Sequence, residues 1–177
     1  MSSRKTTFPV LYSNRLELRS ISEKDATQIL FLRSNDIVGE FIERPKMKTI
    51  NEAKQFIKDR IEDIKNKKVY YWVISLKDEN ELIGTICFWN FSEDKSITEI
   101  GYDLKPEYFS KGIMSEAIKI VINFGFQTLK LSCIEAFTNS ENTNSIKLLV
   151  GNNFELQLDR KDKGFPRNKI FVLKNPN

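Results

Sequence analysis

Residues 110–112, a Ser-Lys-Gly triplet, stand where a predicted strand passes into a predicted helix. The preceding run, 97–104, is strand-like, and apolar residues recur with helical spacing after Gly112. The first N–H groups of a helix have no internal partner and carry the positive end of its dipole. Gly112 would let an anion approach the backbone closely, and Lys111 would add a mobile positive charge. The segment is therefore a candidate pyrophosphate cradle, although an ordinary helix start that contains a glycine fits the same residues.

The sequence contains no histidine, which restricts the chemistry it can perform. A Ser-His-Asp triad, a Cys-His pair and a histidine-based zinc site are all excluded, and we expect no metal site. A general base must then be a carboxylate, a lysine, a tyrosine or a water. The two cysteines, Cys87 and Cys133, lie in apolar strand-like runs, which is typical of a reduced protein rather than a disulfide scaffold.

Length and charge indicate the class of protein. A chain of 177 residues is typical of one domain, and we expect residues 1–177 to form one, with residues 1–12 as a loose lead-in. The net charge of +4 suits an anionic ligand but is too small and dispersed to indicate nucleic acid binding. No apolar run reaches the roughly 18 residues of a membrane span, and no signal peptide is recognisable. We therefore expect a cytoplasmic monomer or homodimer that does not bind membranes.

Strand and helix patterns alternate along the chain. A strand at 15–19 precedes a helix with Ser22 as its N-cap, and a second helix follows the capping box that joins Thr49 to Glu52. Residues 34–48 between them indicate a loop with room for one short turn of helix. The order β-α-α-β-β-β-α-β-α-β-β predicts a mixed α/β (α+β) fold, with about seven strands in one twisted sheet and about four helices. The later strands are expected at 69–76, 82–89, 97–104, 133–137, 154–158 and 169–173, with a short helix at 145–150.

Four segments follow one another along the chain: 15–19 with Asp25, 83–90, 99–102 with 111–117, and 142–149 with Phe154. In this order they resemble the GNAT superfamily of acetyl-CoA-dependent N-acetyltransferases. Within that superfamily, the chain resembles the RimJ/RimL-like branch of ribosomal-protein alanine N-acetyltransferases over most of its length, residues 14–171. The resemblance implies a GNAT-like fold whose central sheet is mixed but mostly antiparallel.

The sequence departs from the superfamily pattern at three places. The pattern Gln/Arg-x-x-Gly-x-Gly/Ala falls on residues 109–114, where only Gly112 is retained. The glycine that precedes the closing phenylalanine is replaced by Asn153. The tyrosine that many members use as a general acid falls on Leu149, so that role cannot be transferred to this chain.

The resemblance implies acetyl-CoA as the acetyl donor and assigns residues to its binding. Pantetheine would lie between two splayed strands, held by backbone groups of Asp103 and Leu104 and by the side chain of Asn142. Ser145 would face the sulfur, where it stabilises the thiolate or returns a proton. The pyrophosphate would be held by backbone N–H groups of Phe109, Ser110, Lys111, Gly112, Ile113 and Met114.

The general base and the capping residues each allow two interpretations. Glu99 is the candidate base because its strand runs to the expected acetyl site and a carboxylate can act directly or through water. A solvated strand residue is the alternative. Asn142 and Ser145 are also common residue types at helix starts, where they cap the backbone. Trp72 and Trp89 fit the core or a pocket wall better than a specific contact.

The acceptor amine is open at this stage. The branch resemblance favours an enzyme that acetylates the α-amine of a protein N-terminus, such as that of a ribosomal protein. A small amine, such as a polyamine or an aminoglycoside-like compound, is the alternative acceptor, and a non-catalytic acyl-CoA-binding module is the alternative class. Glu40 and Glu43 lie where this family shapes its acceptor pocket, and they either attract a cationic amine or are solvated loop charges.

Overall fold

One mixed sheet runs through the part of the chain that the computed structural model describes, residues 8–176. Within those residues the sheet has eight strands in the order β1-β2-β3-β4-β5-β6-β8-β7. Neighbouring strands are antiparallel except β5 and β6, which are parallel. The predicted class is confirmed, with one strand more than expected. The strands are β1 (Leu11–Tyr12), β2 (Leu16–Ser20), β3 (Tyr70–Leu76), β4 (Gly84–Trp89), β5 (Ile97–Leu104), β6 (Cys133–Asn139), β7 (Glu155–Leu156) and β8 (Asn168–Lys174).

Helices flank the sheet on both faces. The predicted start of α3 is confirmed, because Thr49 Oγ1 accepts a hydrogen bond from the N–H of Glu52 over 3.2 Å. The predicted loop 34–48 contains one short turn of helix, α2, as the sequence allowed, and Asn35 Oδ1 caps it by accepting two of its N–H groups. Among residues 8–176, no helix is both long enough and apolar enough to cross a membrane. The helices are α1 (Ala26–Ser34), α2 (Asp36–Gly39), α3 (Ile50–Lys65), α4 (Ile113–Gln127) and α5 (Thr143–Gly151), with 3-10 turns at Glu23–Asp25 and Pro106–Tyr108.

The predicted loose lead-in is wrong at its C-terminal end. Residues 1–7 lie outside the described residues, but β1 falls within the predicted lead-in and pairs antiparallel with β2. A strand of two residues has no periodicity of its own, so its partner strand determines it. The strand β7 is shorter than the predicted run 154–158, because only Glu155 and Leu156 pair with β8.

The two faces of the sheet enter two separate cores. One core lies under α4 and α5 and includes Trp72 and Leu149. The other lies under α1 and α3 and includes Tyr71 and Ile57. Successive side chains of a strand point to opposite faces, which is why the neighbouring residues 71 and 72 enter different cores. Trp72 is fully buried and its Nε1 donates to Pro9 O over 2.9 Å, so its interpretation as a core residue is confirmed.

The strands β5 and β6 separate after a short parallel contact. They pair at three positions only, the last of which joins Glu99 to Glu135. Beyond it, residues 100–104 of β5 are paired with β4 alone, and residues 136–139 of β6 are paired with β8 alone. We call the gap between these two segments the wedge. It confirms the splayed pair of strands that the sequence resemblance implied.

Candidate active site

The turn after β5 reaches α4 through two residues in the left-handed region, Ser110 with φ 58° and Gly112 with φ 73°. The first N–H of α4 with a main-chain partner is that of Glu116, which donates to Gly112 O over 3.0 Å. The N–H groups at positions 113–115 precede it and have no acceptor within the helix. They also stand at the positive end of the α4 dipole. The geometry of an anion-binding helix start is therefore present where the sequence predicted a pyrophosphate cradle.

Phe109 and Lys111 stand apart from the other members of the predicted cradle. The N–H of Phe109 donates to Pro106 O over 3.0 Å, so this group already has a partner. The side chain of Lys111 is exposed, and its Nζ lies 5.5 Å from the ring centroid of Tyr108. Lys111 can thus swing toward a ligand at the helix start, whereas Phe109 contributes little through its main chain.

Arg15 supplies a second positive charge at this turn, which the sequence analysis did not assign. Its Nε pairs with Glu116 Oε2 over 2.7 Å, and its Nη1 donates to Lys111 O over 3.1 Å. A Cβ placed on Gly112 would stand 3.5 Å from Arg15 Nη2. Ser13 Oγ also donates to Glu116, over 2.5 Å. These contacts tie the start of β2 to the first turn of α4 and fix a guanidinium beside the glycine.

Main-chain groups of β5 face the wedge at alternate positions. The N–H of Lys105 donates to Ile83 O over 2.8 Å, so the residues in phase with Lys105, including Asp103, direct their main-chain groups toward β4. Tyr102 and Leu104 are out of phase with Lys105 and direct theirs toward the wedge. Of the two residues predicted to hold pantetheine, Leu104 has its main-chain groups on the wedge side and Asp103 has them on the β4 side.

A hydrogen bond crosses the wedge between Tyr102 and Ser145. The phenol oxygen lies 2.7 Å from Ser145 Oγ, and either atom can be the donor. Burial raises the pKa of Tyr102 to about 12, an effect that the hydrogen bond to Ser145 reduces. Ser145 is 8% exposed in the first turn of α5. In the sequence Tyr102 stood out only as part of a motif. Its pairing could not be predicted, because Ser145 lies 43 residues further along the chain.

Asn142 caps α5, as the alternative interpretation of the sequence held. Its Oδ1 accepts a hydrogen bond from the N–H of Ser145 over 3.1 Å. Its Nδ2 makes no hydrogen bond to any residue in the range 8–176, so the amide keeps donors for a ligand. Capping and ligand binding are therefore compatible in this side chain, and the cap positions Ser145 in the first turn of the helix.

Glu99 lies at the closed end of the wedge, on the face opposite Tyr102. Burial raises its pKa to about 7, the hydrogen bond from Asn90 Nδ2 lowers it, and the charges of Asp162 and Glu135 raise it. The Asn90 bond is long, at 3.4 Å. A half-buried carboxyl group that titrates near neutral pH is suited to proton transfer.

The carboxylate next to Glu99 is held by an arginine. Glu135 stands opposite Glu99 in the strand register. Arg160, from the loop between β7 and β8, donates Nη1 and Nη2 to the two carboxylate oxygens of Glu135 over 2.5 and 3.1 Å. This pair leaves Glu99 as the member of the two without a cationic partner in the described part of the chain.

Comparison with known families agrees with this geometry. The model of the acetyltransferase (GNAT) domain family matches residues 15–155. The chain belongs to the GNAT acetyltransferase family. The matched segment includes β5, the cradle at α4, the wedge and Ser145, and the structural neighbours of this acetyltransferase are RimJ/RimL-like ribosomal-protein acetyltransferases.

Individual relatives and solved structures show the same family and fold. The chain is 37% identical over 146 residues to the uncharacterized N-acetyltransferase YoaA of Bacillus subtilis, covering 81% of this chain and 82% of the relative. The ribosomal-protein-S5-alanine acetyltransferase of Vibrio fischeri superposes with a TM-score of 0.81 at 24% identity, over 96% of this chain and 98% of the other. The Microcin C7 self-immunity acetyltransferase MccE, solved with acetyl-CoA and AMP, has a TM-score of 0.79 at 18% identity, over 92% and 94% of the two chains.

In this GNAT acetyltransferase the loop between α2 and α3 points an arginine, and not a glutamate, toward the sheet. Glu40 and Glu43 are both exposed. Arg44 instead turns inward, donates to Leu32 O over 3.1 Å and pairs with Asp103 over 3.2 Å. Solvated loop charges are thus the better description of the two glutamates, and Arg44 is the loop residue that the sequence analysis missed.

Proposed function

We propose that this acetyltransferase transfers the acetyl group of acetyl-CoA to the α-amine of a protein N-terminus that begins with Ala or Ser. The observation that carries the proposal is the position of Glu99, a carboxyl group with a pKa near 7 at the closed end of the wedge. A histidine-free enzyme needs another group that titrates in this range. Glu99 has the placement and the pKa that the task requires.

The donor site of this proposal runs from the start of α4 into the wedge. The N–H groups at 113–115, with Lys111 and Arg15, would hold the diphosphate. The main-chain groups of Tyr102 and Leu104 lie along the free edge of β5 and would bond the pantetheine amides. The free Nδ2 of Asn142 would donate to the same arm. Acetyl-CoA supplies an acetyl group already activated as a thioester.

The two proton transfers take place on opposite faces of β5. As the C–N bond forms, Glu99 accepts the proton of the amine, directly or through a water. As the C–S bond breaks, Ser145 lies where it can donate a proton to the departing sulfur, and Tyr102 can replace that proton through their hydrogen bond. Because side chains alternate, Glu99 and Tyr102 are three residues apart and face opposite sides of the sheet. Glu99 can therefore accept a proton from the amine while Ser145 donates one to the sulfur.

The pKa of the acceptor favours an α-amine. An α-amino group has an unperturbed pKa near 8, and a lysine or polyamine amine lies near 10. At pH 7 roughly a tenth of α-amines are neutral, so a carboxylate with a pKa near 7 is a sufficient base. The fold similarity to an acetyltransferase of a ribosomal-protein alanine supports the same class of acceptor.

Mass spectrometry of a peptide reaction tests the proposal. Peptides with a free N-terminal Ala or Ser and one internal lysine are incubated with acetyl-CoA, and the products are fragmented to locate the added acetyl group. We expect acetylation of the α-amine and an unmodified lysine. Acetylation on lysine alone, or on spermidine but on no peptide, would contradict the proposal.

A further inference from the structure

The sheet face that carries Glu99 is also the face against which α1 and α3 pack. Side chains alternate along β5, so Glu99 and Asp103 share this face with Gly101 between them. A Cβ on Gly101 would stand 3.4 Å from Cys87 Sγ, with the Trp89 indole on its other side, so Cys87 is the fourth residue at the middle of this face. We call the strip formed by these four residues the charged strip.

Three arginines from different elements border the Asp103 end of the charged strip. Arg33 of α1 and Arg60 of α3 lie over the ring of Phe56, with guanidinium carbons 4.3 and 5.3 Å from its centroid. Arg44 joins them from the loop after α2 through its ion pair with Asp103. We call Arg33, Arg44 and Arg60 the arginine cluster.

The arginine cluster has more positive charge than its carboxylate neighbours balance. Asp103 pairs with Arg44, and Asp63 pairs with Arg60 over 2.7 Å, while Arg33 has no carboxylate partner within residues 8–176. The Nε atoms of Arg33 and Arg60 are buried and make no hydrogen bond to the described residues. Burial and then the charge of Arg44 lower the pKa of Arg33. An incoming anion would relieve this repulsion between the guanidinium groups.

Cys87 connects the two ends of the charged strip. Burial raises the pKa of this thiol to about 12, and the charges of Asp103, Arg60 and Glu99 also act on it. Cys87 is paired with Gly101 in the β4–β5 register, so it lies between the levels of Glu99 and Asp103. The strip therefore offers a base for an amine at one end and guanidinium groups for an anion at the other.

We infer that the arginine cluster binds an acidic side chain of the acceptor, so that the preferred substrate is a protein N-terminus with Asp or Glu close behind its first residue. This inference rests on the proposed function, because it places the α-amine at Glu99. It names a carboxylate as the ligand of a surface that lies outside the donor site. The positive end would orient the peptide, and Glu99 would act on its amine.

The spacing sets where the acid should stand in the peptide. Glu99 and Asp103 are four residues apart on one strand, a span of roughly 13 Å at about 3.3 Å per residue. An extended peptide covers about 3.3 Å per residue as well, so its acidic side chain should fall roughly two to four residues after the reacting amine. Free amino acids are too short to reach both ends.

The test compares peptides that differ in one charge. N-terminal alanine peptides carry Asp, its neutral isostere Asn, or Lys at each of positions 2 to 5, and kcat/KM is measured for α-amine acetylation. We expect Asp to exceed Asn by about tenfold or more at one of these positions, with Lys below both. Arg33→Gln should reduce this Asp-to-Asn ratio toward one, and Arg60→Gln serves as a second variant if the first is poorly folded. Lys58→Gln, which removes one exposed charge from the opposite flank of α3, should leave the ratio unchanged.

The outcomes separate this inference from the function beneath it. Efficient α-amine acetylation with equal rates for Asp, Asn and Lys peptides would overturn the inference and leave the proposed function intact. A preference for Asp that survives both arginine substitutions would also overturn it, because the acid would then be bound elsewhere. Failure to acetylate any α-amine would overturn the proposed function and this inference with it.

Discussion

The phenol oxygen of Tyr102 lies 2.7 Å from Ser145 Oγ and joins β5 to the first turn of α5 across the wedge. Leu149, where the sequence resemblance would place a general-acid tyrosine, is fully buried in the core. The hydroxyl group nearest to Ser145 therefore comes from a strand rather than from α5. This arrangement gives Ser145 a fixed orientation and a neighbouring proton source.

Tyr102→Phe should lower kcat by about tenfold while the KM for acetyl-CoA changes little. The substitution removes only the hydroxyl, so the ring still packs and the main-chain contacts of position 102 persist. Because both residues act as a unit, Tyr102→Phe combined with Ser145→Ala should be no slower than Ser145→Ala alone. Tyr70→Phe, which removes a phenol from the same face of the sheet, is the matched control. Strictly additive losses in kcat would argue against a shared role.

Glu99→Gln should cost more activity at neutral pH than at high pH. The wild-type kcat/KM should rise with pH as Glu99 loses its proton near pH 7. In the variant that rise should move toward the pKa of the α-amine, near 8, because the enzyme must then wait for an amine that is already neutral. Rate profiles from pH 6 to 9.5 measure this shift, with the exposed Glu93→Gln as control. A loss by the same factor at every pH would show that Glu99 is not the base.

Arg160→Met should shift the same pH profile to higher pH. Arg160 neutralises Glu135, and without it a second carboxylate charge would stand beside Glu99 and raise the pKa of Glu99 further. The apparent pKa of kcat/KM should therefore increase, and activity at pH 7 should fall. Arg167→Met is the control, because Arg167 is 72% exposed and only loosely paired, at 3.8 Å from Glu141. An unchanged profile would separate Arg160 from the chemistry of Glu99.

Gly112→Val should weaken acetyl-CoA binding by about tenfold, equivalent to about 1.4 kcal/mol. Valine is strained at a φ of 73°, and its side chain would fill the space between Arg15 and the helix start. Gly164→Val is the control, since Gly164 has a φ of 93° and nothing within 4 Å of an added Cβ. Calorimetry with thermal unfolding distinguishes the effects: both variants should lose stability, but only Gly112→Val should lose affinity. If a folded Gly112→Val protein bound acetyl-CoA as tightly as the wild type, the start of α4 would not be the pyrophosphate site.

Local signals in the sequence predicted much of the fold, including the helix that starts after Gly112. The capping box at Thr49 depends on residues within one turn of each other. The same is true of Gly112 at the start of α4. Such signals are readable because the partner groups are fixed by the local backbone. The strand β1 was not predicted, because two residues are too few to show a periodic pattern. Only its pairing with β2 defines it as a strand.

The contacts that the sequence could not predict are those between distant segments. Arg44 meets Asp103 across 59 residues of sequence, and Tyr102 meets Ser145 across 43. The orientation of Asp103 depends on the phase of the β4–β5 ladder, where a shift of one residue exchanges the groups that face the wedge for those that face β4. No residue pattern within β5 specifies that phase.

A crystal structure with a bisubstrate compound would show whether the sulfur is bound at Ser145 while the acceptor amine is bound at Glu99. In this compound the α-nitrogen of an alanine peptide is joined to the sulfur of CoA through an acetyl bridge. We predict that the sulfur lies near Ser145 Oγ inside the wedge, and that the nitrogen lies within a hydrogen bond or one water of Glu99, about 3 to 5 Å. A bound compound whose peptide enters from the Tyr102 face, or whose nitrogen lies far from Glu99, would contradict the account.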